Sequence, residues 1–129
     1  MFNRMVVQKA LNRSWAIDSY PGWIPNNPPD SQGSVTSLMI YDIFRGEILK
    51  THKNQGWHFY NRIDGERIDF TSSEKDIPAI NDHFEDLPSD PSETYNYFED
   101  EEYSSLFMKF IRAYEEFVGE ETYQPGLVD

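Results

Sequence analysis

The chain contains no cysteine among its 129 residues. It therefore has no disulfide, no zinc–thiolate site and no thiol nucleophile. It also lacks any apolar run near the ~20 residues that cross a bilayer. Residues 1–10 carry no apolar stretch followed by a small-residue cleavage site, so no leader of the secretory type is read there. Together these absences predict a cytoplasmic location and no membrane partner. The third scarcity is of basic residues. There are 11 Lys and Arg against 23 Asp and Glu, a net charge of −12. Almost all of the imbalance lies in one half: residues 1–75 hold nine bases and eight acids, residues 76–129 two bases and fifteen acids. The second half repels polyanions, so nucleic acid is not expected as a partner. A basic partner suits it better.

What is present is aromatic. Rings make up 16% of the chain within a hydrophobic fraction of 38%. That supplies a core for a single domain over 1–129. The acidic segment at about 82–101 is expected to be weakly ordered.

The patterns predict an α+β order. Residues 2–13 read as an amphipathic helix, with Phe2, Met5, Val6 and Leu11 roughly on one face. Residues 18–31 are rich in breakers (Pro21, Gly22, Pro25, Pro28, Pro29) and read as a long loop pinned by Trp23 and Ile24. Over 32–44, Val35, Leu38, Met39, Ile40, Ile43 and Phe44 put apolar groups almost all round a helix, which marks it as central and buried. Asp30 or Ser31 is the candidate cap and Gly46 the candidate stop. Strands follow at Glu47 to His52, Trp57 to Ile63 and Glu66 to Thr71. Asp64-Gly65 is a strong hairpin signal between the last two. A short helix near Ile77 to Leu87 and a loop over 87–92 come next. Over 101–118, Tyr103, Leu106, Phe107, Phe110, Ile111, Tyr114 and Phe117 recur at helical spacing, with Gly119 as the stop.

These elements outline a site. The buried helix starts at Gln32-Gly33-Ser34, and a helix N-terminus presents free N–H groups and positive potential. A two-residue turn at Asp64-Gly65 sets Tyr60 opposite Asp69 and His58 opposite Thr71. His58 and Asp69 are then diagonal neighbours on one face; a bulge at the turn would separate them. A His oriented by an Asp, beside a helix N-terminus and a Gln, is an acyl-transfer constellation. His58 would be the base, Asp69 the residue that fixes its tautomer, and Gln32 a candidate oxyanion donor. Ser34, Trp57 and Tyr60 are candidate ligand contacts. No metal and no cofactor are implied, because His52, His58 and Asp69 do not follow a recognised ligand spacing.

The run Trp15 … Asn27-Pro28 … Gln32-Gly33-Ser34-Val35-Thr36-Ser37-Leu38 … Trp57-His58-Phe59-Tyr60-Asn61-Arg62 … Asp69-Phe70-Thr71 resembles the YunG-like family of small bacterial proteins. The family pattern reads Gln-Cys-Ala-Val-Thr-Ala-Leu on the central helix, followed by His-Tyr-Trp-Asn-Arg and Asp-Leu-Thr strands. The resemblance implies a papain- or transglutaminase-like layout. That means a buried central helix on a small antiparallel sheet, with N- and C-terminal helices around it. It matches Gln32, His58 and Asp69 to the family's Gln, His and Asp. Gly33 falls where the family has Cys, so the nucleophile position is empty of a side chain. Three readings follow: a non-catalytic papain-like domain binding a ligand or peptide near His58, an acidic inhibitor- or immunity-type protein with a basic partner, and a hydrolase using Ser34.

Overall fold

A helix that is apolar nearly all round must be covered on every side. In the computed structural model, which describes residues 2–17, 32–53, 56–71 and 84–122, every residue from Gln32 to Ile40 is buried. This helix, α2 (Gln32–Phe44), follows α1 (Arg4–Ile17) and has the bounds its pattern predicts. Strands β1 (Glu47–Lys53), β2 (Gly56–Ile63), β3 (Glu66–Ile68) and β4 (Leu87–Ser89) form one antiparallel sheet in the order β3-β2-β1-β4. A short helix α3 (Pro91–Thr94), a 3₁₀ turn (Tyr95–Tyr97) and the long α4 (Asp100–Thr122) complete the described chain. The architecture is α+β. The loop expected at 18–31, the caps Asp30 and Ser31, and most of the short helix expected at 77–87 lie outside the described residues.

The core lies between α1, α2 and α4. Val7, Ala10, Leu11 and Trp15 of α1 meet Val35, Met39 and Ile40 of α2 and Leu106, Phe110 and Ala113 of α4. These positions repeat at helical spacing, which is why each helix buries one stripe. Met5 was expected on that stripe but is 70% exposed. It sits two residues before Val7, about 200° round the helix from it. Asn3 caps α1: the Val6 N–H donates to its Oδ1 at 3.2 Å. A second cluster of Leu38, Ile48 and Phe59 joins α2 to the sheet. Between the clusters, buried Asn61 on β2 donates from Nδ2 to the Ser37 carbonyl of α2 at 3.0 Å. That bond fixes the height of the helix on the sheet.

The hairpin register is the one Asp64-Gly65 predicts. Asn61 faces Ile68, Arg62 faces Arg67 and Ile63 faces Glu66. Asp64 and Gly65 both have positive φ, 53° and 80°, as a type I′ turn requires. The third strand is shorter than expected, ending at Ile68 and not Thr71. Asp69 leaves the ladder because its own carboxylate takes the Thr71 N–H at 3.1 Å, a side-chain turn that competes with strand pairing.

Helix ends supply two corrections. Helix α2 stops at Phe44, and the first left-handed residue is Arg45 (φ 68°), whose N–H donates to the Tyr41 carbonyl at 2.9 Å. Gly46 (φ 83°) follows, and a Cβ there would lie 2.3 Å from the Arg62 carbonyl oxygen. Glycine is needed at 46 for this close approach as much as for the turn. Gly119 does not stop α4, which continues to Thr122. Its φ is not positive, and a glycine ends a helix only when it takes the left-handed cap geometry.

The acidic segment also departs from expectation. Residues 84–101, expected to be weakly ordered, contain β4, α3, the 3₁₀ turn and the start of α4. Their acids are anchored singly. Glu93 accepts from Lys50 Nζ and from Ser89 Oγ, Glu85 accepts from the His52 N–H at 2.8 Å, and Asp90 caps α3 by accepting from the Glu93 N–H at 2.9 Å. Lys50 and His52 are remote in sequence, so no local periodicity announces this order. Among the described residues no helix is long and apolar enough to cross a membrane.

Candidate functional site

Gly33 sits in the first turn of α2, against the sheet. A Cβ built there would lie 3.4 Å from His58 Nδ1, 3.6 Å from Cε1 of the same ring, and 3.3 Å from the Phe59 carbonyl oxygen. The other ring nitrogen, Nε2, is 2.5 Å from Asp69 Oδ2. The imidazole therefore bridges two points, with one nitrogen on a carboxylate and the other facing position 33. A carboxylate accepts only, so Nε2 carries the proton in that bond and the contact sets the ring's orientation.

Asp69 is itself held in place. Its Oδ1 accepts from the Thr71 N–H at 3.1 Å and from Thr71 Oγ1 at 2.9 Å. The His58 and Asp69 side chains are 8% and 6% exposed. In surroundings this dry, a polar contact is stronger than in water, and an unmade one costs more. A buried imidazole oriented by a carboxylate is an arrangement that can accept or donate a proton. Position 33, which faces its other nitrogen, carries no side chain because it is glycine.

The other expected residues fall in different places. Gln32 and Ser34 are buried beside Gly33 in the first turn of α2. Ser34 and His58 form no hydrogen bond; the Ser34 carbonyl accepts from Ser37 Oγ at 3.0 Å. The Tyr60 ring lies 6.1 Å from the His58 ring at 27°. Its hydroxyl donates to Asp86 Oδ1 and accepts from the Asp86 N–H, both at 2.8 Å. Burial, and then Asp86, push the Tyr60 phenol well above its ordinary pKa. Trp57 is not brought to His58. Adjacent strand residues face opposite sides, and Trp57 stacks on His52 at 4.0 Å with Lys50 Nζ 4.2 Å from its ring centre.

Three participants were not singled out in the sequence. Thr71 completes the hold on Asp69; its signal was the Asp-x-Thr spacing of a side-chain turn. Asp86 and Arg67 form the clamp next to Tyr60. Arg67 donates to Asp86 from Nε at 2.8 Å and Nη2 at 2.5 Å. The guanidinium holds the Asp86 carboxyl below the usual carboxylate range. No pattern in the chain marks Asp86, because its partners lie on a hairpin about twenty residues earlier. Among the described residues no group of three or more His, Cys, Asp or Glu side chains could hold a metal ion.

Fold and site thus define a class: a small α+β domain with a buried His–Asp pair aimed at the first turn of its central helix. Comparison with known proteins narrows the class. The family model described as YunG protein matches residues 3–115. The chain is 37% identical over 106 residues to the uncharacterized protein YunG of Bacillus subtilis (strain 168), an alignment covering 82% of this chain and 90% of that protein. The chain belongs to the YunG family. No solved structure matches it.

Proposed function

We propose that the chain is a non-catalytic, papain-like pseudo-hydrolase that binds a small ligand or peptide group at Gly33 and His58. The reading rests on one observation. His58 offers Nδ1 at 3.4 Å from the residue-33 Cβ position while Nε2 is bonded to Asp69. A nucleophile at 33 would sit where that nitrogen could take its proton. With glycine there, His58 can hold a ligand but no side chain at 33 can attack it. The order Gln32, Gly33, His58, Asp69 along the chain is the order of the thiol hydrolases the family pattern resembles.

The test restores the missing group. In Gly33→Cys, the thiol should become a thiolate well below the ~8.5 of an ordinary cysteine, read by ultraviolet thiolate absorbance, which needs no reagent to enter a buried site. Adding His58→Ala should return the titration to the ordinary range, and Ser104→Cys, exposed on α4, should titrate there throughout. A folded Gly33→Cys that titrates like Ser104→Cys refutes the reading.

A further inference from the structure

Among the described residues, the only exposed rings of Phe, Tyr or Trp are Tyr95 and Tyr97, at 50% and 46%. Both stand in the one 3₁₀ turn between α3 and α4. Both rings are also fixed from below. The Tyr97 ring centre is 5.3 Å from that of Phe59 on β2. Tyr95 is 5.3 Å from Phe98, whose ring continues to Tyr103 of α4 at 6.2 Å.

The turn runs directly into acid. Glu99, Asp100, Glu101 and Glu102 follow it, all exposed, and no Lys or Arg stands between residues 84 and 102. The acids before the turn are already engaged: Glu85 with His52, Asp86 with Arg67 and Glu93 with Lys50. Glu99 and Asp100 make no ion pair among the described residues. They stand four and three residues before Tyr103, so they flank its ring on one side of the helix start.

The chain shows elsewhere what such a combination holds. Three of its own cations lie over a ring and beside a carboxylate. Lys50 Nζ is 4.2 Å from the Trp57 ring centre and pairs with Glu93. The Arg13 guanidinium is 4.4 Å from Phe117 and pairs with Glu116, and that of Arg67 is 4.6 Å from Phe84 and pairs with Asp86. Each joins the attraction of a ring face to that of an opposite charge. Residues 95–100 repeat the receiving half of this arrangement, and no described cation lies over Tyr95 or Tyr97.

We infer that the Tyr95–Tyr97 turn and the start of α4 form a docking surface for an arginine-bearing basic segment of a partner protein. Its guanidinium groups lie on the two tyrosine rings and pair with Glu99 and Asp100. Charge complementarity selects this occupant, and a planar guanidinium suits stacking and carboxylate pairing together. The surface is separate from His58: Phe59, beneath Tyr97, faces the opposite side of β2 from its neighbour.

Calorimetric titration of the full chain with hexa-arginine, hexa-lysine and hexa-glutamate peptides tests it. Hexa-arginine should saturate one site, and hexa-glutamate should not bind. Hexa-lysine carries the same charge but stacks less well, and should bind at least about threefold more weakly. Tyr95→Leu/Tyr97→Leu keeps charge and bulk, and should weaken hexa-arginine binding at least about fivefold. Glu99→Gln/Asp100→Asn should weaken it by a similar factor. Asp64→Asn/Glu115→Gln removes the same charge from exposed positions elsewhere and should change it less than about twofold. The melting transition verifies that each variant keeps its fold. No saturable binding, equal affinity for the two cationic peptides, full affinity in the tyrosine variant, or equal losses in the two charge variants overturns the inference. So does a concentration-dependent dimer lost in the tyrosine variant, which would make the occupant a second copy of this chain.

Discussion

Asp69→Ala removes the group on which the whole site turns. The carboxylate accepts three bonds: from His58 Nε2 at 2.5 Å, from the Thr71 N–H at 3.1 Å and from Thr71 Oγ1 at 2.9 Å. Water can rescue the half-buried Thr71 hydroxyl but has poor access to the His58 ring, which is 8% exposed. Leaving the buried His58 N–H without an acceptor costs about 1–3 kcal/mol. That is a large share of the roughly 5–15 kcal/mol that holds a typical domain folded. Asp69→Asn can keep both Thr71 bonds through Oδ1, but its Nδ2, a donor, then faces His58 Nε2, so a bond forms only if His58 takes the other tautomer; the change should cost about 1–2 kcal/mol. Equilibrium urea unfolding at unchanged m-value reads both numbers. The double variant His58→Ala/Asp69→Ala should cost less than the sum of the two single changes, because each single change strands the other partner. An Asp69→Ala loss within about 0.5 kcal/mol of the native chain is the size of an ordinary surface change. It would mean the pair is solvated and the reasoning is wrong.

Two further outcomes follow from the geometry. Gly119 lies inside α4 with nothing within 4 Å of its Cβ position, so Gly119→Ala should stabilise the domain by about 0.5–1 kcal/mol in thermal or urea unfolding; a loss would mean the helix ends there after all. Arg67 first, and Tyr60 after it, hold the Asp86 carboxyl below its usual range. A depressed folded-state pKa contributes stability above the unfolded value of about 3.9, lost as pH falls through the folded one. Asp86→Asn should therefore flatten the fall in stability below about pH 4, and an unchanged acid limb would show that the clamp does not act in folding.

Much of the site was legible because it depends on local rules. Asp64-Gly65 favours a two-residue type I′ turn, and that turn sets the register that makes His58 and Asp69 neighbours. The apolar coverage of 32–44 marks a helix that must be buried, which places Gly33 at an interior helix start. The readings that failed each needed information from elsewhere in the chain. Gly119 looked like a stop by residue type alone, but the chain does not take a left-handed turn there. Asp69 looked like strand until its carboxylate was seen to bind its own turn. Trp57, an expected ligand contact, falls on the other face of β2, where His52 and Lys50 take it.

The sequence by itself determined the central helix, the hairpin and its register, and the absence of any thiol. These follow from side-chain periodicity, from the backbone needs of two turn residues and from composition, all of which act over a few residues or over none. Tertiary structure alone decided that the residue-33 position looks straight at His58 Nδ1, and that the acids of 84–101 find partners on β1, β2 and β3. Those are contacts between segments tens of residues apart: the packing of α2 on the sheet makes the first, and the pairing of β4 along β1 brings the acids to their partners. The absence of cysteine was visible at once. That position 33 packs against a buried, oriented imidazole was not.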